Sequence, residues 1–266
     1  MKTRILTALF FCSAVATLSG CTAKDILPES LNSKADIKNT AKATLHKIDK
    51  RFNKNGQRIV IIPGYGTPVL GNESYEDYIK KAVAYVNDTN NHVVAVIFTG
   101  SYTNNKDLSE AESLYRGYDE YADIASLQKK GVKFYKEECA ITTWQNIDNS
   151  YAIVKDKGID YDAVTIFGDE SRKEKLIGYT GTVFNKDIVK NRSVTSIDYV
   201  AHRFSKQTLS DSERGTVFAA EIGAAYNADL RDKLLNDRFA DWGKKYKYDV
   251  AKNLVSKGCV EFKEYQ

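Results

Sequence analysis

The sequence predicts an α/β domain: a parallel sheet of about five strands with helices on both faces and a helical C-terminal extension. Three observations predict it. Short apolar runs rich in β-branched residues lie at 59–62, 93–99, 132–135, 163–167 and 194–199. Between them, apolar residues recur at helical spacing. Each run is then followed, after a loop, by a hydroxyl residue with a carboxyl or amide three positions on: Ser74 with Asp77, Ser109 with Glu112, Thr142 with Gln145, Ser171 with Glu174, and Ser210 with Glu213. The hydroxyl accepts from an orphan N–H of the first helical turn, and the second residue reaches back to the cap. Strands alternating with helices give a parallel sheet joined by crossovers.

The elements follow in chain order. Lys2 and Arg4 precede an uncharged stretch at 5–18, long enough for a signal sequence but short of the roughly 20 apolar residues of a membrane span. It ends in Leu18-Ser19-Gly20-Cys21, the pattern of a lipobox. The expectation is a lipoprotein signal peptide over 1–20, removed so that Cys21 becomes the acylated N-terminus. Several acyl chains there would give stable attachment to a membrane from outside the cytoplasm. Thr22 rather than Asp follows the cysteine, so no inner-membrane retention signal is evident; in a Gram-negative source the address is the periplasmic side of the outer membrane. Residues 21–57 read as a polar tether containing one amphipathic helix, with Ile37, Ala41, Leu45, Ile48 and Phe52 on one face.

The α/β domain with its helical C-terminal part then occupies 58–266. The first, second and fourth runs are apolar on both faces, as strands of a covered parallel sheet are. One helical face holds Tyr75, Tyr78, Ile79, Ala82, Val83 and Val86; another Ala111, Leu114, Tyr115 and Tyr118; a third Trp144, Ile147, Tyr151 and Val154; a fourth Val217, Phe218, Ile222, Tyr226 and Leu230. The last sixty residues read as helices anchored by Phe239, Trp242, Tyr248, Leu254 and Val255.

The formal charge is +4 and falls by two when Lys2 and Arg4 leave, a mixed surface that gives no reason to expect nucleic acid. Of four cysteines, Cys12 leaves with the signal and Cys21 is acylated; Cys139 and Cys259 are left either to pair in an oxidising compartment or to stay as buried thiols. His46, His92 and His202 are scattered, with no pair at helical metal-ligand spacing, so no metal site is expected.

In an open parallel sheet, ligands bind beyond the carboxyl ends of the strands. That rule selects four loops. Pro63-Gly64-Tyr65-Gly66-Thr67-Pro68 follows the first run. Its glycines either make a plain turn or bring backbone N–H groups up to a ligand. The third glycine of a dinucleotide fingerprint would fall at Val69 and is absent, which rejects a nicotinamide site. Thr99-Gly100-Ser101-Tyr102 follows the second run; Ser101 stands where a nucleophile could, but no Gly-x-Ser-x-Gly elbow surrounds it. Glu110 then opens a helix, where the dipole favours a carboxylate. Thr143 and Asn146, three apart on a first turn, could both face a ligand. Gly168-Asp169-Glu170-Ser171-Arg172 follows the fourth run, as a charged site or a solvated turn. His202, after the fifth run, reads as an acid or base or, more often, a surface residue.

These loops in this order resemble the YdcF/SanA/ElyC-like family, long catalogued as a domain of unknown function. The resemblance rests on Gly64-Tyr65-Gly66, Thr99-Gly100-Ser101, Glu110-Ala111, Thr143 with Asn146, and Val164-Thr165 with Arg172, and spans roughly residues 58–225. It implies a Rossmann-like fold, a pocket for a polar small molecule and, as for several members, a role in cell-envelope biogenesis or integrity. It supplies no reaction and names no cofactor. The chain departs from the pattern at Gln145, where Glu is usual, and at Asp169, where His is usual; each departure removes an acid/base candidate.

The functional expectation is therefore a lipid-anchored envelope protein with a polar, anion-accepting pocket. Gly64, Tyr65, Gly66, Thr99, Gly100, Ser101, Thr143 and Asn146 would contact the ligand, with Glu110, Arg172 and Asp169 as the groups nearest any chemistry. Several helix N-termini converging there would favour phosphate or carboxylate. The alternative is a non-catalytic scaffold that recruits an envelope protein through a tyrosine-rich surface, since the chain holds 17 tyrosines.

Overall fold

A computed structural model of the chain describes residues 56–66, 73–184, 196–204 and 227–259. All lie in the second of two compact units, Met1–Phe52 and Asn53–Gln266. The leader, Cys21, the tether helix, the Ser210–Glu213 pair and four of the five residues of the 217–230 face lie outside the described residues. Leu230, the fifth, is exposed.

Five parallel strands form one sheet: β1 (Arg58–Pro63), β2 (Val93–Thr99), β3 (Lys133–Glu137), β4 (Ala163–Asp169) and β5 (Ser196–His202). Their order is β3-β2-β1-β4-β5. The fold is Rossmann-like, with the sheet covered on both faces. Over one face lie α1 (Glu73–Asn87), α2 (Glu110–Tyr121) and α3 (Ile124–Lys129). Val60, Ile62, Val96, Phe98 and Phe167 of the strands bury against them. Over the other lie α4 (Thr143–Asp156) and α5 (Lys173–Phe184), against Ile59, Ile61, Ala95, Ile97, Val164 and Ile166. Alternate residues of β1, β2 and β4 thus serve opposite cores, which is why those runs are apolar throughout.

The helical faces fall where their spacing puts them. All six residues expected on the α1 face are buried. On α2, Ala111, Leu114 and Tyr118 are buried and Tyr115 packs at the margin; on α4, Ile147 and Val154 are buried while Trp144 and Tyr151 pack beside them. Ser109 caps α2 by accepting from Glu112 N, and Thr142 caps α4 by accepting from Gln145 N. Gln145 Oε1 in turn accepts from Ile141 N at 3.0 Å.

Two expected caps are different. Ser74 lies inside α1, where its hydroxyl sits 3.2 Å from His202 Nε2 and donates to the Arg203 carbonyl. Ser171 falls within a 3-10 turn, Glu170–Arg172, that leads into α5. The edge strands also shift. β3 runs to Glu137 and β5 to His202, because each continues pairing, Thr99 with Glu137 and Asp169 with His202, after its apolar run has ended. α3, one and a half turns capped by Asp123, is too short for periodicity to mark.

The C-terminal part forms α6 (Ala228–Tyr246) and α7 (Val250–Ser256), capped by Asn227 and Asp249. Leu235, Val250, Leu254 and Cys259 bury with Ile141, and Phe239, Trp242, Tyr248 and Val255 pack around them, so the five expected anchors share one small core. A disulfide joins Cys139, after β3, to Cys259, with Cα atoms 5.4 Å apart. That settles which of the two cysteine states holds. Among the described residues Tyr121 is the exposed tyrosine, Tyr75, Tyr78, Tyr118 and Tyr179 are buried, and the others are partly buried.

Candidate functional site

The strand order reverses direction between β1 and β4, the topological switch point beyond whose carboxyl ends open α/β sheets bind ligands. Gly64-Tyr65-Gly66 leaves β1 on one side and Asp169–Arg172 leaves β4 on the other. Gly100-Ser101 leaves the neighbouring β2.

Glu110 is the acidic group brought to this place. It opens α2 and, although half-buried as a residue, inserts its carboxyl between the two glycine loops. A Cβ placed on Gly64 would meet Glu110 Cβ, and would lie 2.5 Å from Glu110 Oε2; one placed on Gly100 would lie 2.9 Å from both atoms. These glycines therefore make room for a carboxyl of the protein itself. Gly100 also needs its glycine for its φ of +139°. Thr103 Oγ1 donates to Glu110 Oε1, and Gly66 gives a backbone hydrogen bond. Desolvation outweighs these bonds and the positive Arg172, and holds the Glu110 carboxyl above its ordinary 4.5.

Around it the β1 loop is fastened from several sides. Gly64 N donates to the Thr99 carbonyl at 2.7 Å. Tyr78 OH donates to the Pro63 carbonyl and Tyr75 OH to that of Gly66. Tyr65 reaches across to the β4 loop, where its hydroxyl accepts from Asp169 N at 2.7 Å. Burial pushes the Tyr65 phenol up to about 12, so it stays neutral. The exposed Arg172 guanidinium lies 4.8 Å from the centre of the Tyr65 ring. Glu110, Gly64, Tyr65, Gly66, Gly100 and Arg172 thus come together.

Other candidates are engaged within the fold. Asp169 Oδ2 accepts from Phe204 N, and its carbonyl accepts from Tyr199 OH, which ties the β4 end to the segment after β5. Thr99 Oγ1 lies 2.5 Å from Glu137 Oε2 and 3.1 Å from Asn146 Oδ1. Asn146 and Thr143, expected to face a ligand, are both buried, and Asn146 is bonded to Thr99. Ser101 is fully buried, and its Oγ has no hydrogen-bond partner. The N-terminus of α2 is closed as well: Glu110 N donates to Ser101 O, Ala111 N to Gly100 O, and Glu112 N to Ser109 Oγ. This helix offers an anion nothing from its first turn beyond its dipole. His202 is buried under Tyr78 and Phe204 rather than on the surface, and burial lowers its pKa.

One group escaped the sequence reading. Glu137 ends β3 with its carboxyl buried, and burial raises its pKa. Oε1 accepts from Cys139 N and Asn149 Nδ2, both at 2.9 Å, while Oε2 is bonded to Thr99 and lies 3.3 Å from Ala140 N. It takes the place of a missing backbone partner for the loop after β3. The sequence around it, Lys136-Glu137-Glu138 beside Cys139, carries no periodic sign of burial. Among the described residues no cluster of three or more His, Cys, Asp or Glu is arranged to hold a metal, and no helix is long and apolar enough to cross a membrane.

Comparison with protein-family models, with curated proteins and with solved structures finds no match to this chain.

Proposed function

We propose that this chain is a lipid-anchored envelope protein that takes a polar, anionic small molecule into the crevice between the β1 and β4 loops. Arg172 receives the anionic group, and Glu110 acts on the ligand as acid or base. The observation that carries the reading is Glu110: the carboxyl of a half-buried residue, set between the β1 and β2 loops beside the topological switch point, held above its ordinary pKa by desolvation and flanked by two glycines that leave it room. A charged group is not placed there by packing needs alone. Arg172 supplies an exposed guanidinium whose plane suits a phosphate or carboxylate. The lipobox ending at Cys21 supports the envelope address, and the Cys139–Cys259 bond fits an oxidising compartment. From the address and the family resemblance, the service is to envelope biogenesis or integrity.

The test is native mass spectrometry of the full chain purified from its membrane. The expected result is a co-purifying anionic small molecule on the wild type and on Glu110→Gln, lost from Arg172→Ala. A chain that carries no small molecule in any form refutes the pocket. Labelled palmitate should enter the wild type but not Cys21→Ala, and equal labelling refutes the anchor.

A second reading, a non-catalytic scaffold, draws on the same geometry. Asp169, Thr99 and Asn146 are engaged in internal bonds, which leaves few groups for chemistry. A stoichiometric protein partner recovered from detergent-solubilised membranes, with no small molecule retained, supports that reading instead.

A further inference from the structure

The α6–α7 hairpin reaches the candidate site through a short line of contacts. The segment 101–107, between β2 and α2, has no regular structure of its own. Its third residue, Thr103, is nevertheless buried, with its hydroxyl on Glu110. The hairpin holds that segment. Tyr248 OH donates to the carbonyl of Tyr102, the residue before Thr103. Asn253 Nδ2 donates to the Lys106 carbonyl at 3.2 Å, and Lys257 Nζ lies 5.0 Å from the centre of the Tyr102 ring. On the far side, Cys259 is bonded to Cys139, and Ala140, one residue on, accepts from Ser101 N. Segment 101–107 therefore lies between α7 and a loop that α7 is covalently joined to.

The geometry points to the α6–α7 hairpin as a strap, fastened by the Cys139–Cys259 bond, that holds Thr103 against Glu110 and so fixes the orientation of that carboxyl. Tyr248 is the positioning residue. It touches no ligand in this scheme; it acts through the Tyr102 backbone on Thr103, and through Thr103 on Glu110. The importance of the strap for function rests on Glu110 being the working group, as proposed above; the strap itself does not. The other charged or titratable groups felt by Glu110 or feeling it are Arg172, Tyr65, Tyr75 and Tyr248.

The experiment uses the full chain in three states: oxidised wild type, wild type reduced with a dithiol, and oxidised Tyr248→Phe. In the reduction, two electrons from the dithiol cleave the Cys139–Cys259 bond; two cysteine thiols form and the dithiol leaves as its cyclic disulfide. Amide hydrogen exchange is read over residues 101–112, and the Glu110 carboxyl is titrated by carbon NMR, assigned by its disappearance in Glu110→Gln. In Tyr248→Phe, exchange over 101–109 should rise about five- to tenfold, the factor that one ordinary hydrogen bond represents. Exchange in β1 and β2 should stay as it was. The Glu110 midpoint should move, falling as water reaches the carboxyl by more than the loss of the Thr103 bond raises it, because desolvation is the larger of the two causes. Reduction should do the same to a greater extent; if it unfolds the whole chain, Tyr248→Phe decides alone. Unchanged exchange and an unchanged Glu110 midpoint in Tyr248→Phe overturn the strap. That outcome is separable from failure of the functional reading, in which no small molecule is bound while the strap still protects its loop.

Discussion

Replacing Gly64 with alanine tests what the glycines of the site are for. Gly64 has no positive φ, so its backbone accepts an L residue without strain. The obstacle is steric. The new methyl would lie 2.5 Å from Glu110 Oε2 and would also meet Glu110 Cβ. Glu110 cannot simply move away, because its own N–H and that of Ala111 are bonded to Ser101 O and Gly100 O. Overpacking of this kind costs about 1–3 kcal/mol. For a domain of this size that is a fall in Tm of roughly 2–4 °C per kcal/mol. Glu110→Gly removes both obstructing atoms, and in that background Gly64→Ala should cost less than about 0.5 kcal/mol, a coupling in the range found for touching residues. Gly100→Ala is the control. It meets the same carboxyl, but its φ of +139° leaves a backbone penalty of about 1–3 kcal/mol in either background. Urea unfolding of the two double-mutant cycles gives these numbers. Additive costs for Gly64→Ala and Glu110→Gly would refute the steric argument, and a stable Gly64→Ala chain that loses only its ligand would show that the glycine serves the ligand.

Other outcomes follow from the same geometry. The carboxyls of Glu110 and Glu137 both have folded pKa values above the ordinary 4.5, so the folded chain binds protons more tightly than the unfolded one. Their contribution is most favourable below the ordinary value and is lost as pH rises through the window up to the raised values, by at most about 1.4 kcal/mol per pH unit per group. Measured against Glu110→Gln, the wild type should lose relative stability from pH 4.5 upward; a flat difference refutes the assignment. Glu137→Gln turns an amide N–H₂ toward one of the two backbone N–H groups, of Cys139 or of Ala140, that donate to the carboxylate, and should destabilise by about 1–3 kcal/mol in urea unfolding. The Cys139–Cys259 bond closes a loop spanning 120 positions, worth about 5 kcal/mol in the chain-entropy account. A Cys139→Ala, Cys259→Ala chain should show a urea midpoint lowered to match, and an unchanged midpoint would refute that account.

The sequence by itself determined the architecture, because burial leaves a periodic trace. β1, β2 and β4 feed two cores at once, so their runs are apolar throughout, and the α1 face is legible to the residue. It also placed Glu110, Gly64, Gly100 and Arg172 near one another, since strand-end loops converge whatever their content. It could not tell what each residue touches. Ser74 looked like a cap and is instead a partner of His202. Asp169, Thr99 and Asn146 were expected near a ligand, and their bonds to backbone or to each other left no local trace. Glu137, which no pattern singled out, is buried. The pairing of two cysteines 120 positions apart lay beyond any local pattern as well. Periodicity records which side of an element faces the core and is written locally. Hydrogen-bond partners, desolvation and a disulfide depend on distances between segments far apart in the chain, and only the tertiary structure fixes those.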